Sequence, residues 1–177
     1  GYYSRARRLH QSSKILLSQI GPNRCEDPNL WPSDVQSWIA LPGIGRSTAG
    51  SIVSSAFDVP APLLDGNVRR VLGRLIADSR PVENFLPELW NLSEALLDLN
   101  KPRNFNQALM DMGSTLCKPK GPICCSCPWN FCCRAYLSGE ASAFPVKTLK
   151  NKIPFQIIGV GVVFNQKGFV LIDKRLE

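Results

Sequence analysis

Four cysteines set the strongest constraint on this chain. Cys117, Cys124, Cys127 and Cys133 follow a C-x6-C-x2-C-x5-C pattern in one Pro- and Gly-containing loop. Four thiolates in one short loop can hold a [4Fe–4S] cluster or a zinc ion. Zinc sites usually show two tight pairs. Here the first and last gaps are wide, which suits a cluster better. Disulfide frameworks belong to small secreted domains, whereas this chain carries a large helical core. Cys125 and Cys132 sit beside the four and read as spectators, although chemistry alone would let either replace a neighbour. Cys25 stands apart and reads as a half-buried loop thiol.

The 116 residues before that loop have helical periodicity. Residues 1–20 are basic and helical, and residues 21–32 form a loop rich in Pro, Asn and Asp. Ser33-Asp34-Val35-Gln36 has the pattern of a capping box and starts a short helix. Ala49, Ile52, Val53 and Ala56 form one helical face, and Val68, Val71, Leu72, Leu75 and Ile76 form another. Leu89, Leu92, Leu96 and Leu99 mark a further helix, and Phe105, Ala108, Leu109, Met112 and Leu116 mark the last. After Pro154 the period changes to two: Ile158, Val160, Val162 and Phe164 alternate, Asn165-Gln166-Lys167-Gly168 reads as a turn, and Phe169–Ile172 returns. The expected organisation is a helical core over 1–116, a cluster loop over 117–137, a polar linker over 138–153 and the start of a β-containing domain over 154–177. The chain opens on Gly1 and ends inside a strand-like run, so both ends are expected to be truncations.

The formal net charge is +7, which points to an anionic partner, most commonly nucleic acid. Two basic patches carry it. One contains Arg5, Arg7, Arg8, Lys14 and Arg24; the other contains Lys118, Lys120, Arg134, Lys147, Lys150 and Lys152. A net acidic stretch from Asp78 to Asp98 separates them, which is the pattern of a binding footprint. No run is long and apolar enough to span a membrane as a helix. A monomer is expected.

Leu41-Pro42-Gly43-Ile44-Gly45 lies between two helices. Its glycines permit a tight turn and close backbone approach, and the next helix presents its positive dipole end. Arg46 adds charge. This arrangement suits a DNA phosphate without reading sequence. Asp65 begins a helix after an extended segment, and a helix cap accounts for it locally. A carboxylate beside a flipped nucleotide would also stabilise the cationic sugar formed as a base departs. Between Lys14 and Lys101 there is no lysine, so this region offers no side-chain amine for a Schiff base with a sugar.

Taken together, these residues resemble the helix-hairpin-helix glycosylase superfamily and, within it, the adenine DNA glycosylases of the MutY family. Residues 1–7, GYYSRAR, are similar to the family's GYYxRAR segment, and LPGIGRSTAG from Leu41 to its hairpin. Leu64-Asp65-Gly66-Asn67-Val68 resembles its aspartate motif. Phe105-Asn106-Gln107-Ala108 and Met110-Asp111-Met112-Gly113 resemble the helix before its cluster, and the four-cysteine spacing resembles its [4Fe–4S] signature. The loop over 21–32 departs from the family's Gly-Gly…Phe-Pro run.

The resemblance implies a mainly α fold: a helix-hairpin-helix DNA glycosylase domain with a cluster loop, then the first strands of a Nudix-like α+β domain that reads 8-oxoguanine. It implies hydrolysis of the N-glycosidic bond of adenine, mispaired with 8-oxoguanine or guanine in double-stranded DNA. Asp65 would be the catalytic carboxylate, with Asn67 in the active site. Tyr2, Arg5, Gly43, Ile44, Gly45, Arg46 and Ser47 would meet DNA, with Tyr2 wedged into the duplex. Ser47 falls where the endonuclease III family has its catalytic lysine, which implies a monofunctional enzyme. The family's general-acid glutamate precedes the GYY segment, so the chain by itself is expected to be inactive. The cellular site would be the bacterial nucleoid, or the nucleus or an organelle. Two alternatives stand: an endonuclease III-like bifunctional lyase, and a non-catalytic DNA-binding module with structural zinc.

Overall fold

A computed structural model describes residues 3–148, 155 and 157–172. Seven α-helices occur among them: α1 Tyr3–Ile20, α2 Val35–Ile39, α3 Arg46–Phe57, α4 Gly66–Ile76, α5 Leu86–Leu96, α6 Pro102–Thr115 and α7 Arg134–Leu137. The helical period of the first 116 residues is thus realised as helices. Helix α2 begins one residue later than the capping-box pattern suggests. Asp34, not Ser33, is the N-cap; its Oδ1 accepts from Ser37 N at 2.9 Å and its Oδ2 from Ser37 Oγ at 2.6 Å. A carboxylate accepting both bonds caps better than the competing hydroxyl, and such a cap stabilises a helix by about 1 kcal/mol.

Two apolar cores result. One gathers Leu16 and Ile20 of α1, Trp38 of α2, Leu41 of the hairpin, Ala49 and Val53 of α3, and Ala61. Trp31 and Trp38 stack within it, and their indole N–H groups donate to Cys25 O and Pro32 O. These bonds fix the loop over 21–32, where Cys25 is half-buried. The other core centres on Val68, Val71 and Leu72 of α4 with Leu63, Val82, Phe85, Leu89, Leu109 and Met112. Helix α4 packs on α5, α6 and α7, while α3 packs on α2 and α6.

Three helical faces differ from their periodicity. On α3 the buried face is Ala49, Gly50, Val53 and Ser54, and Ala56 is exposed. Small residues on that face admit close backbone packing, which outweighs the apolar count. Leu99 is 69% exposed, because α5 ends at Leu96 and Leu97, in extended conformation, enters the core instead. Ala108 is exposed for a related reason: the buried line of α6 runs through Pro102, Asn106, Leu109 and Met112.

After α7 the chain doubles back on α4. Val82 N donates to Val146 O at 2.9 Å, Arg74 Nε to Phe144 O at 2.8 Å and Thr148 Oγ1 to Glu83 Oε2 at 2.7 Å. Residues 165–168 form the expected turn, closed by Gly168 N to Asn165 O and Asn165 N to Phe169 O, with Gly168 at φ +79°. Only an isolated antiparallel bridge between Phe164 and Val170 flanks it; no strand forms among the described residues.

Candidate active site and cysteine cavity

The hairpin is the 41–45 turn between α2 and α3. Ile44 N closes it on Leu41 O at 3.2 Å, Gly43 takes φ +81°, a conformation that favours glycine, and Gly45 is the N-cap of α3. From α1, Ser12 Oγ donates to Pro42 O at 2.8 Å. Gly43 and Gly45 are exposed, so backbone is presented to solvent at the tip, whereas Ile44 packs its side chain into the first core. Arg46 is exposed, yet its guanidinium lies 4.0 Å over the ring of Trp90 on α5. Such a stack holds the charge in place without neutralising it. Arg5 is exposed on α1. Tyr2 lies outside the described residues.

Asp65 stands where residues 59–65 end and α4 begins. Its Oδ1 caps the helix, accepting from Val68 N at 2.7 Å. No hydrogen bond among the described residues engages Oδ2. One oxygen therefore serves the fold, and the residue as a whole is half-buried. Ser47 Oγ accepts from Leu64 N at 3.1 Å, so the hairpin's helix touches the residue just before Asp65. Asn67, half-buried, accepts from Arg70 Nη2 at 2.9 Å through Oδ1.

Sequence reasoning missed two arginines that tie this helix to the cysteine loop. Arg70 donates through Nε to Cys117 O at 2.7 Å and through Nη2 to Gly113 O. Arg74 is 2% exposed and donates to Lys118 O at 2.7 Å, Cys117 Sγ at 3.2 Å, Pro119 O at 3.3 Å and Phe144 O. Their i, i+4 spacing on a helix with an apolar face was the available signal, but it reads equally as a solvated stripe.

Cys117, Cys124, Cys127 and Cys133 line one apolar cavity together with Arg74, Leu116, Ile123 and Tyr136. Burial pushes the Cys124 and Cys133 thiols above their ordinary pKa, and the neighbouring thiols add to this. Cys125 and Cys132 are exposed; Cys125 Sγ lies 3.8 Å from Tyr136 Oη, and Cys132 Sγ contacts Trp129 O. Among the described residues, no three Cys, His, Asp or Glu side chains gather as a site for one metal ion. The four thiols share this cavity with the buried Arg74 guanidinium, which donates to Cys117 Sγ.

Solved structures place this body in a class. A thermostable thymine-DNA glycosylase aligns with TM-score 0.62 and 29% identity over 75% of this chain and 58% of that one. A non-covalent endonuclease III–DNA complex aligns with TM-score 0.60 and 28% identity over 78% of this chain and 60% of that one. The helical fold and its hairpin thus belong to the endonuclease III-like helix-hairpin-helix class. Curated relatives narrow it. The mouse adenine DNA glycosylase is 41% identical over 150 residues, 82% of this chain and 28% of that protein. The adenine DNA glycosylase of Buchnera aphidicola from Schizaphis graminum is 34% identical over 179 residues, 100% of this chain and 49% of that protein. The chain belongs to the adenine DNA glycosylase family, and it spans less than half the length of these relatives. No family model matches it.

Proposed function

We propose that the protein carrying this chain removes adenine mispaired with 8-oxoguanine or guanine from double-stranded DNA, by hydrolysis of the N-glycosidic bond. The observation that carries this reading is Asp65, with one oxygen capping α4 and the other unengaged, one residue beyond the contact with the hairpin's helix. The exposed hairpin backbone would hold a phosphate while adenine flips out of the stack. Asp65 would then stabilise the oxocarbenium-like sugar, by charge or by a transient covalent bond, before water completes the hydrolysis. Protonation of the leaving purine falls, by the family resemblance, to a glutamate N-terminal to this chain. Residues 154–177 would begin the domain that reads 8-oxoguanine.

Cys117, Cys124, Cys127 and Cys133 would hold a [4Fe–4S] cluster, with Cys125 and Cys132 outside it. The shared cavity and the charge of Arg74 support that donor set. The cluster would supply a structural anchor that shapes the loop bearing Lys118 and Lys120, both exposed. Strand nicking is not part of this reading: Ser47 offers a hydroxyl where the endonuclease III family has an amine.

The test uses the intact protein on a duplex with adenine opposite 8-oxoguanine, developed with and without alkali. Adenine release with strand breaks only after alkali is expected. Breaks without alkali, or borohydride trapping of an enzyme–DNA adduct at lyase-like yield, would make it a bifunctional lyase instead.

A further inference from the structure

The extended run over 59–65 is the seam between the two cores: Ala61 belongs to one and Leu63 to the other. A lone extended segment in a helical body has no ladder partner, so its backbone groups must be satisfied otherwise. Side chains from three helices do this. Asn106 Nδ2 of α6 donates to Ala61 O at 2.9 Å, Ser93 Oγ of α5 donates to Leu63 O at 2.8 Å, and Ser47 Oγ of α3 accepts from Leu64 N at 3.1 Å. Between them, Gly50 faces Pro62 so closely that an added Cβ would sit 2.2 Å from Pro62 O. Residues 61–64 are thus each gripped from a helix, immediately before Asp65.

Ser93 and Asn106 are 2% and 1% exposed, and Asn106 Oδ1 is buried with no partner. An amide buried with its oxygen unpartnered is a poor choice for stability alone. What a hydrogen bond adds over apolar contact is direction. The cap bond to Val68 N fixes the Asp65 carboxylate relative to α4. It does not fix α4 relative to the hairpin. The tethers do: they set the height and rotation of the segment that joins the two.

We propose that Ser93 and Asn106 are positioning residues for base excision, holding Asp65 at a fixed distance from the hairpin. This rests on the reading of Asp65 given above. In that reading the hairpin holds the DNA backbone, so the tethers set where the carboxylate meets the sugar. Misplacement of a reacting group by about 1 Å can cost about 10²-fold in rate.

The experiment measures single-turnover adenine release by the intact protein carrying Ser93→Ala or Asn106→Asp, each alone and combined with Asp65→Asn. Ser93→Ala removes one oxygen atom, and Asn106→Asp preserves shape, so one variant remains informative if the other fails to fold. Affinity is measured on a duplex carrying a 2′-fluorinated adenosine, which resists hydrolysis. The expected result is a rate lowered at least about tenfold with affinity unchanged, and no further loss in the Asp65→Asn background. An unchanged rate in the Asp65 background, or an equal loss in both backgrounds, would overturn the positioning role while leaving the catalytic reading of Asp65 intact. If Asp65→Asn alone leaves the rate unchanged, the catalytic reading itself fails and the positioning role falls with it.

Discussion

In the proposed reading Asp65 both caps α4 and acts on the sugar, and the cap bond occupies only one of its oxygens. Oδ1 is committed to Val68 N while Oδ2 has no partner among the described residues. Helix capping therefore does not compete with chemistry; it orients the group. Arg74 is the residue on which the neighbouring structure leans most. Its guanidinium serves three backbone carbonyls and one sulfur from two separate segments. Arg74→Ala leaves those buried acceptors unmet, at about 1–3 kcal/mol for each unsatisfied group. The prediction is a lower denaturation midpoint and a protein that purifies with reduced iron and reduced visible absorbance. Arg74→Lys should behave almost as badly, because a single ammonium cannot span both segments. Retention of full iron content by Arg74→Ala would show that the loop orders itself without this helix.

At the scale of elements, α4 organises the site: its N-cap is Asp65 and its last turn reaches the cysteine loop. The elements themselves were legible because helical periodicity and turn chemistry are local. So were the cysteine loop and the hairpin, whose residue types stand at short, fixed spacings. What pins them together was not legible. Ser47, Ser93 and Asn106 reach backbone atoms 17, 30 and 45 residues away, and no local pattern distinguishes a tethering serine from a solvated one. The buried face of α3 was misjudged for the same reason, since Gly50 counts as nothing in a periodicity and as a close contact in the fold. Gly50→Val should destabilise the protein by about 1–3 kcal/mol, because α3 must move off Pro62, and thermal unfolding measures it. The cysteine loop makes its own prediction. Burial raises the Cys124 and Cys133 thiols. In cluster-free protein a raised folded pKa contributes stability that is complete below the unfolded thiol value of about 8.5 and is lost as pH rises through the folded one. Cluster-free protein should therefore weaken on alkaline titration through that window. Stability that rises there would contradict the buried, neutral thiols.

For the whole molecule, charge and fold act together. The chain has a net charge of +7, with exposed Arg5 on α1, exposed Lys118 and Lys120 in the loop, and a hairpin that presents backbone. Binding through phosphate contacts should weaken steeply with salt, with log affinity falling by about 0.9 per phosphate neutralised for each decade of salt. An affinity unchanged between low and moderate salt would remove the electrostatic footprint from the account. In the proposed reading Asp65 stabilises the departing sugar as well as capping α4. The most direct measurement compares single-turnover adenine release by intact wild-type and Asp65→Asn protein, with duplex affinity measured alongside. Asparagine preserves the capping oxygen, so fold and binding should persist while the rate falls by about 10²- to 10³-fold or more, the range for loss of one electrostatic stabiliser. Release by Asp65→Asn at near wild-type rate would reduce Asp65 to a helix cap and contradict the account.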